Sequence, residues 1–250
     1  MFALQAVPLS RCSHSPHGYS LFELVILLLI IGLIGGLSLS AGKIVLDVSE
    51  ANDTKERLDT IRAALLLFQK THERYPCPAL PADSSVSATY GVEVAGGCAG
   101  TCPAGLTCGK SAVIGAVPFK TLRVNEEVAY DSGDNKIAYV IDKAHTHSSV
   151  YSTGSIPIID INGNGITSSS VMGAAIFILI SHGKDGKGAY DKSGTMLTAC
   201  GATGADIENC NGDDIFVHSR LNRGDIAANY YDDFIVWQTQ ENVQPEVFNK

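Results

Sequence analysis

The feature that most constrains this chain is an apolar run near its N-terminus, from Leu24 to Leu39, broken only by Ser38. A run of this length and composition is typical of a helix that crosses a bilayer. One ionisable residue, Glu23, lies at its edge. A carboxylate in that position costs ~2–3 kcal/mol on insertion scales. The sequence therefore indicates that Glu23 has a function that offsets this cost.

Composition separates the chain from some functional classes. Its 250 residues are 45% hydrophobic and 18% charged, which is the balance of a folded protein. The formal net charge of −8 argues against a general nucleic-acid binder, because contacts to phosphate need clustered Lys and Arg. We therefore predict no nucleic-acid partner.

The residues before the apolar run allow two processing routes. Positions 1–18 carry Arg11 and no acidic residue. In one route they form the positive region of an ordinary secretory signal, and cleavage falls near Ala41. In the other, cleavage falls after Gly18, before the apolar run. The second route alone keeps Glu23 in the mature chain.

The stretch GYSLFELVILLLIIGLIGG, residues 18–36, resembles the N-terminus of type IV prepilins and type II secretion pseudopilins. That family has a basic leader, a glycine, an aromatic or apolar first mature residue, a Glu as fifth mature residue and a long apolar segment. Gly18, Tyr19 and Glu23 match this pattern. The leader is longer than many in the family, and a proline often found near the position of Ala41 is absent.

The resemblance implies a processing and assembly pathway. A prepilin peptidase would cut between Gly18 and Tyr19 and methylate the new amine. The protein would sit in the inner membrane as a single-pass precursor with its C-terminal domain in the periplasm, and would then enter a filament. In the filament the Glu23 carboxylate can pair with the Tyr19 amine of a neighbour, since a buried charge is tolerable when it is paired.

The rest of the chain predicts one long helix followed by a sheet. No Gly or Pro occurs between Lys43 and Tyr75, and apolar residues recur there at spacings of three, four or seven. A helix is therefore expected from Ser20 to about His72. Residues typical of strands, bounded by turn residues, occupy Lys136–Asp142, Ser155–Ile161, Ala174–Ser181 and Asp232–Gln238.

The predicted fold class is therefore α+β and pilin-like. Its long N-terminal helix, first transmembrane and then amphipathic, packs on a C-terminal antiparallel sheet with disulfide-stapled loops. The expected divisions are a leader at residues 1–18, a transmembrane and assembly helix at 19–42, and a periplasmic or extracellular domain at 43–250.

Cysteine usage predicts disulfides. Cys12 precedes the apolar run, and an even number follows it, which allows three bonds in an oxidising compartment. A local bond is expected between Cys200 and Cys210, and the other four allow three pairings that the sequence does not rank. Zinc bound in the Cys-rich loop is the alternative, although structural zinc sites usually use close pairs. The six cysteines are Cys77, Cys98, Cys102, Cys108, Cys200 and Cys210.

Calcium is the one cofactor that the sequence suggests. The segment LISHGKDGKGAY, residues 179–190, together with DDFIVW further on, resembles the C-terminal pattern of the major type II secretion pseudopilin, whose matching region binds calcium. If Ala174–Ser181 pairs with Asp232–Gln238 in an antiparallel sheet, Asp185, Asp232 and Asp233 can converge at one end of it and hold a calcium ion. This chain departs from the family pattern by a long insertion with two cysteines. A second acidic turn, at Asp160, lacks the Glu that closes a calcium loop, because Val171 stands there.

Enzyme motifs are missing from the sequence. There is no G-x-S-x-G elbow, and the phosphate-loop-like CGKS has Ala104 where the first glycine is required. The resemblance implies a structural subunit of a type IV pilus or a type II secretion pseudopilus, and the missing motifs agree with the prediction that it is not an enzyme. Its expected partners are prepilin peptidase, other pilin or pseudopilin subunits and the inner-membrane assembly platform. The alternatives are an exported soluble protein or hydrolase released by ordinary signal cleavage, and a minor pilin that binds a surface or ligand.

Overall fold

A computed structural model describes residues 20–147, 153–167, 174–202, 204–222 and 230–240, with backbone alone for residues 33–47. Its helices are α1 (Leu21–His72) and the short α2 (Phe119–Leu122). Its strands are β1 (Thr107–Cys108), β2 (Ala112–Ala116), β3 (Ala138–Asp142), β4 (Ile158–Ile159), β5 (Ala175–Ser181), β6 (Phe216–Val217) and β7 (Phe234–Thr239). The chain divides into two compact units, residues 1–48 and 49–250.

The predicted fold class is wrong in its first helix. In the part of the chain that the structure describes, no helix combines the length and the apolar character needed to cross a bilayer. What the structure has is a mixed fold of helix and antiparallel sheet with three disulfides. The same finding contradicts the predicted single-pass location in the inner membrane.

In the second unit, the C-terminal part of α1 packs on one face of the sheet. Its buried side chains recur at helical spacing, and Leu58, Ile61 and Leu65 have no exposed surface. They belong to one core cluster with Tyr139 and Phe177 of the sheet. The helix ends at His72, shortly before Pro76, because proline cannot continue the backbone hydrogen-bond pattern.

The main sheet has five strands in the order β1-β2-β3-β5-β7, and every neighbouring pair is antiparallel. The central strand β5 is buried along its whole length. Its Phe177 and Leu179 face the α1 side, whereas Ile178 and Ile180 face a second cluster with Ile158. This explains why β5 reads as a continuous apolar run, since a strand covered on both faces has no polar side.

One strand prediction differs from the structure. The segment Ser155–Ile161 touches the main sheet only at Ile156, which forms an isolated antiparallel bridge with Ala175 of β5. Within it, Ile158–Ile159 forms β4, which pairs in parallel with β6. The Cys-rich loop, residues 77–110, contains the two residues of β1, and β2 follows it directly. The predicted segments Lys136–Asp142 and Asp232–Gln238 contain most of β3 and β7.

Candidate functional site: an acidic cluster at one end of the sheet

The pairing of β5 with β7 brings two predicted acidic residues to one end of the sheet. Ser181, the last residue of β5, lies opposite Phe234, the first residue of β7. Asp185 follows β5 by one tight turn, and Asp232 directly precedes β7. In an antiparallel pair the end of one strand lies beside the start of its neighbour, so these two carboxylates meet.

Asp232 is fully buried, and it closes the turn after β5. Its Oδ2 accepts hydrogen bonds from the backbone N–H of Lys184 at 2.6 Å and of Asp185 at 3.2 Å, and from the Tyr230 hydroxyl at 2.9 Å. Its Oδ1 is buried and has no hydrogen-bond partner among the described residues. A buried carboxylate oxygen without a donor is costly, so this oxygen is available as a ligand for a cation.

The third member of the cluster, Asp206, was not predicted from the sequence. It is 1% exposed, and it lies in the insertion that separates the two halves of the pseudopilin-like pattern. One carboxylate oxygen from each of Asp185, Asp206 and Asp232 lies within 4.8 Å of the others. The signal that could have found it is an acidic residue inside a short loop closed by two cysteines.

One lysine partly neutralises the cluster. The Lys187 ammonium lies 2.8 Å from Asp185 Oδ2 and 3.1 Å from Asp206 Oδ2. Burial lowers the pKa of Lys187, but the hydrogen bonds to these two carboxylates outweigh it and raise the pKa overall. Burial raises the pKa of Asp206, and the nearby Asp185 charge adds to this while Lys187 opposes it. Three carboxylates and one ammonium leave the cluster with excess negative charge.

Asp233, the other predicted ligand, does not join the group of three. It is 4% exposed, and its Oδ2 accepts a hydrogen bond from Asn209 Nδ2 at 2.7 Å. Burial raises its pKa well above the usual range, and the charges of Asp206, Asp232 and Asp185 raise it further.

The donor set of the cluster fits calcium. All three groups offer carboxylate oxygens, the ligands that hard cations such as calcium prefer. Softer metals prefer sulfur or imidazole ligands. The partnerless oxygen of Asp232 supplies an independent reason for a bound cation. If calcium is present, Asp185, Asp206 and Asp232 would hold it. It would neutralise charge and tie the β5 turn, the insertion and the start of β7 together.

Asp160, the other acidic turn considered in the sequence, has its carboxylate occupied by hydrogen bonds within its own turn. Asp160 Oδ1 accepts hydrogen bonds from the backbone N–H of Asn162 and Asn164 at 2.8 Å each. This is a self-closed turn, and Val171 lies outside the described residues.

The structure joins all six cysteines that follow the apolar run. Cys200 is bonded to Cys210, the local pair expected from the sequence. Of the three pairings open to the other four, the structure has Cys77 with Cys98 and Cys102 with Cys108. The Cys-rich loop is therefore held by disulfides and offers no thiolates for the zinc alternative.

At the N-terminus, the described residues present an apolar surface. The processing residues Gly18 and Tyr19 lie outside them. Glu23 is exposed in the first turn of α1. The exposed fractions of its apolar neighbours run from 43% at Ile26 to 84% at Leu21.

Comparison of the chain with protein-family models, with curated proteins and with solved structures found no match.

Proposed function

We propose that the chain is a structural subunit of the type IV pilin and type II secretion pseudopilin class, cut after Gly18 and polymerised through the N-terminal part of α1. The observation that carries this proposal is the row of exposed apolar side chains from Leu21 to Ile31. Exposed apolar surface of this extent marks an interaction site. The occupant we propose is the same segment of neighbouring subunits, which would cover it on all sides.

Glu23 supports this choice of occupant. It is a single carboxylate in an otherwise apolar surface, and surrounding subunits would bury it. A buried carboxylate without a partner is strongly destabilising, whereas a paired one is tolerated. The amine of Tyr19 in a neighbouring subunit, freed by cleavage after Gly18, is the partner that the proposal supplies.

The mature N-terminus tests the processing step. In a host that makes prepilin peptidase, mass spectrometry of the mature chain should show a methylated Tyr19, and Gly18→Glu should leave the precursor uncut. A mature chain that begins near Ala41 would overturn the proposal. That outcome would instead favour an exported soluble protein or hydrolase.

A matched pair of variants tests the assembly step. Glu23→Ala should reduce incorporation into filaments when wild-type subunits are present, because the neighbouring amine loses its partner. Glu56→Ala removes another exposed carboxylate from α1 and should incorporate normally. Equal incorporation of both variants would refute the pairing.

We also propose that the folded domain binds calcium at Asp185, Asp206 and Asp232. The observation that favours it is the buried Asp232 Oδ1, which has no hydrogen-bond partner among the described residues. A cation that binds only the folded state raises its stability, by about 2.7 kcal/mol at 100 times the dissociation constant. Millimolar calcium should therefore raise the melting temperature of the full chain relative to chelator. An unchanged melting temperature, or the same shift in Asp232→Asn, would refute this site.

A further inference from the structure

The Cys200–Cys210 disulfide encloses one member of the acidic cluster. Asp206 lies in the loop that this bond closes, ten positions in sequence from end to end. Asp185 and Asp232 come from the ends of β5 and β7, so the sheet already places them. Asp206 has no such support, because it reaches the cluster from the insertion. Its position depends on what holds the insertion.

One end of the disulfide loop is fixed to the turn that carries Asp185. Thr198, two residues before Cys200, donates its hydroxyl to the Asp185 carbonyl at 3.2 Å. Its own carbonyl accepts the backbone N–H of Gly188 at 2.8 Å. The chain therefore enters the loop directly beside Asp185.

The other end of the loop carries Asp206 into place. The backbone N–H of Asn209 donates to the Asp206 carbonyl at 3.0 Å, in a short 3₁₀ helix (Ile207–Asn209) that Cys210 directly follows. The Asn209 side chain donates to Asp233 and accepts the backbone N–H of Val217 at 2.8 Å. The disulfide thus links the end of the loop that lies beside Asp185 to the end that holds Asp206.

We propose that the Cys200–Cys210 disulfide controls the calcium affinity of the acidic cluster, so that the site binds calcium tightly only in the oxidised chain. The inference rests on the calcium site proposed above. In the reduced chain, Asp206 must be brought against two other carboxylates by Lys187 and local hydrogen bonds alone. Ordering the opened loop then uses part of the binding free energy, and the affinity falls.

The chemistry of the switch is ordinary thiol–disulfide exchange. A dithiol reductant supplies two electrons and two protons to the bond, which yields the two thiols of Cys200 and Cys210 and the oxidised form of the dithiol. Coupling between two binding events is reciprocal. If the disulfide strengthens calcium binding, bound calcium must oppose reduction of that disulfide by the same factor.

Titration calorimetry with calcium tests the first half of the coupling. The oxidised full chain should bind calcium, and a Cys200→Ser/Cys210→Ser double variant should bind at least tenfold more weakly. The matched control is Cys102→Ser/Cys108→Ser, which removes the other local disulfide, a more exposed one. The control should bind calcium like the wild type.

Reduction of the wild-type chain tests the second half without any substitution that could impair folding. The chain is treated with dithiothreitol in calcium or in chelator, the thiols are alkylated, and each disulfide is followed by peptide mass spectrometry. Calcium should protect the Cys200–Cys210 bond and leave the Cys102–Cys108 bond unprotected.

The outcomes separate the two proposals. Absence of calcium binding by the oxidised wild type would overturn the calcium site, and this inference with it. Calcium binding by the wild type together with an unchanged affinity in Cys200→Ser/Cys210→Ser, or with equal protection of both disulfides, would overturn this inference alone.

Discussion

The turn after β5 has little room for a side chain at Gly183, and this leads to our most specific stability prediction. Gly183 has a φ of +60°, and a Cβ built on it would lie 2.4 Å from Asp232 Cγ and 2.5 Å from the Asp232 carbonyl oxygen. The second contact is with backbone, so it cannot be relieved by rotating a side chain. Gly183→Ala should therefore displace Asp232, whose carboxylate closes the turn.

A second glycine in the same turn separates backbone strain from this clash. Gly186 has nearly the same φ, +62°, but its Cβ would lie 3.4 Å from the nearest atom, Leu197 Cδ1. Gly186→Ala should cost only the strain of a left-handed backbone, about 1 kcal/mol. Gly183→Ala adds a clash of the overpacking kind, itself worth about 1–3 kcal/mol. We expect its total loss of unfolding free energy to be about 2–4 kcal/mol.

Urea unfolding of the full chain in chelator measures both losses without any contribution from bound metal. Gly183→Ala should lower the unfolding free energy at least twice as much as Gly186→Ala, with an unchanged dependence on urea. Equal losses in the two variants would refute the argument, because they would show that Asp232 does not pack against Gly183 as described.

Three further predictions concern charged groups. Lys187→Met should tighten calcium binding in calorimetry, because the Lys187 ammonium no longer competes for Asp185 and Asp206. The control Lys184→Met should change the affinity little. Weaker binding by Lys187→Met would contradict the prediction. Burial lowers the pKa of His182 to about 4 from 6.5, so the unfolded chain takes up the proton first as the pH falls. Wild-type unfolding free energy should therefore drop by up to about 3 kcal/mol relative to His182→Gln between pH 7 and pH 4, and parallel pH curves would contradict it. Glu93→Gln should lower unfolding free energy by only about 1 kcal/mol, because its ion pair with Arg74 is partly exposed; a loss that does not shrink in high salt would contradict the electrostatic explanation.

The strands that lie inside the core could be predicted from the sequence, because burial on both faces leaves a recognisable apolar run. The segment that became β5 is such a run, and it pairs with β3 and β7 on its two sides. The edge strand β1 is two residues long, too short for any alternation to show. The segment around Ile158 has strand-like composition but packs on the second face of the sheet. There Ile158–Ile159 pairs with β6, and Ile156 forms an isolated bridge with Ala175.

The acidic site could be predicted in part. The positions of Asp185 and Asp232 follow from one pairing, that of β5 with β7. Asp232 and Asp233 are adjacent, and consecutive side chains of an extended segment point to opposite sides. Only one of the two can therefore face the turn after β5, and the structure places Asp232 there. Asp233 instead accepts a hydrogen bond from Asn209.

Strand patterns do not predict Asp206, because it reaches the site through a loop closure that they do not encode. Its carboxylate is buried beside Asp185 and Asp232 only because the insertion folds back and Cys210 bonds to Cys200. The insertion is also where this chain departs from the pseudopilin-like pattern. The acidic site therefore combines two residues placed by the sheet with a third placed by a covalent bond. Any change that loosens the insertion, by reduction or by substitution, should act on the cluster first and on the sheet core much less.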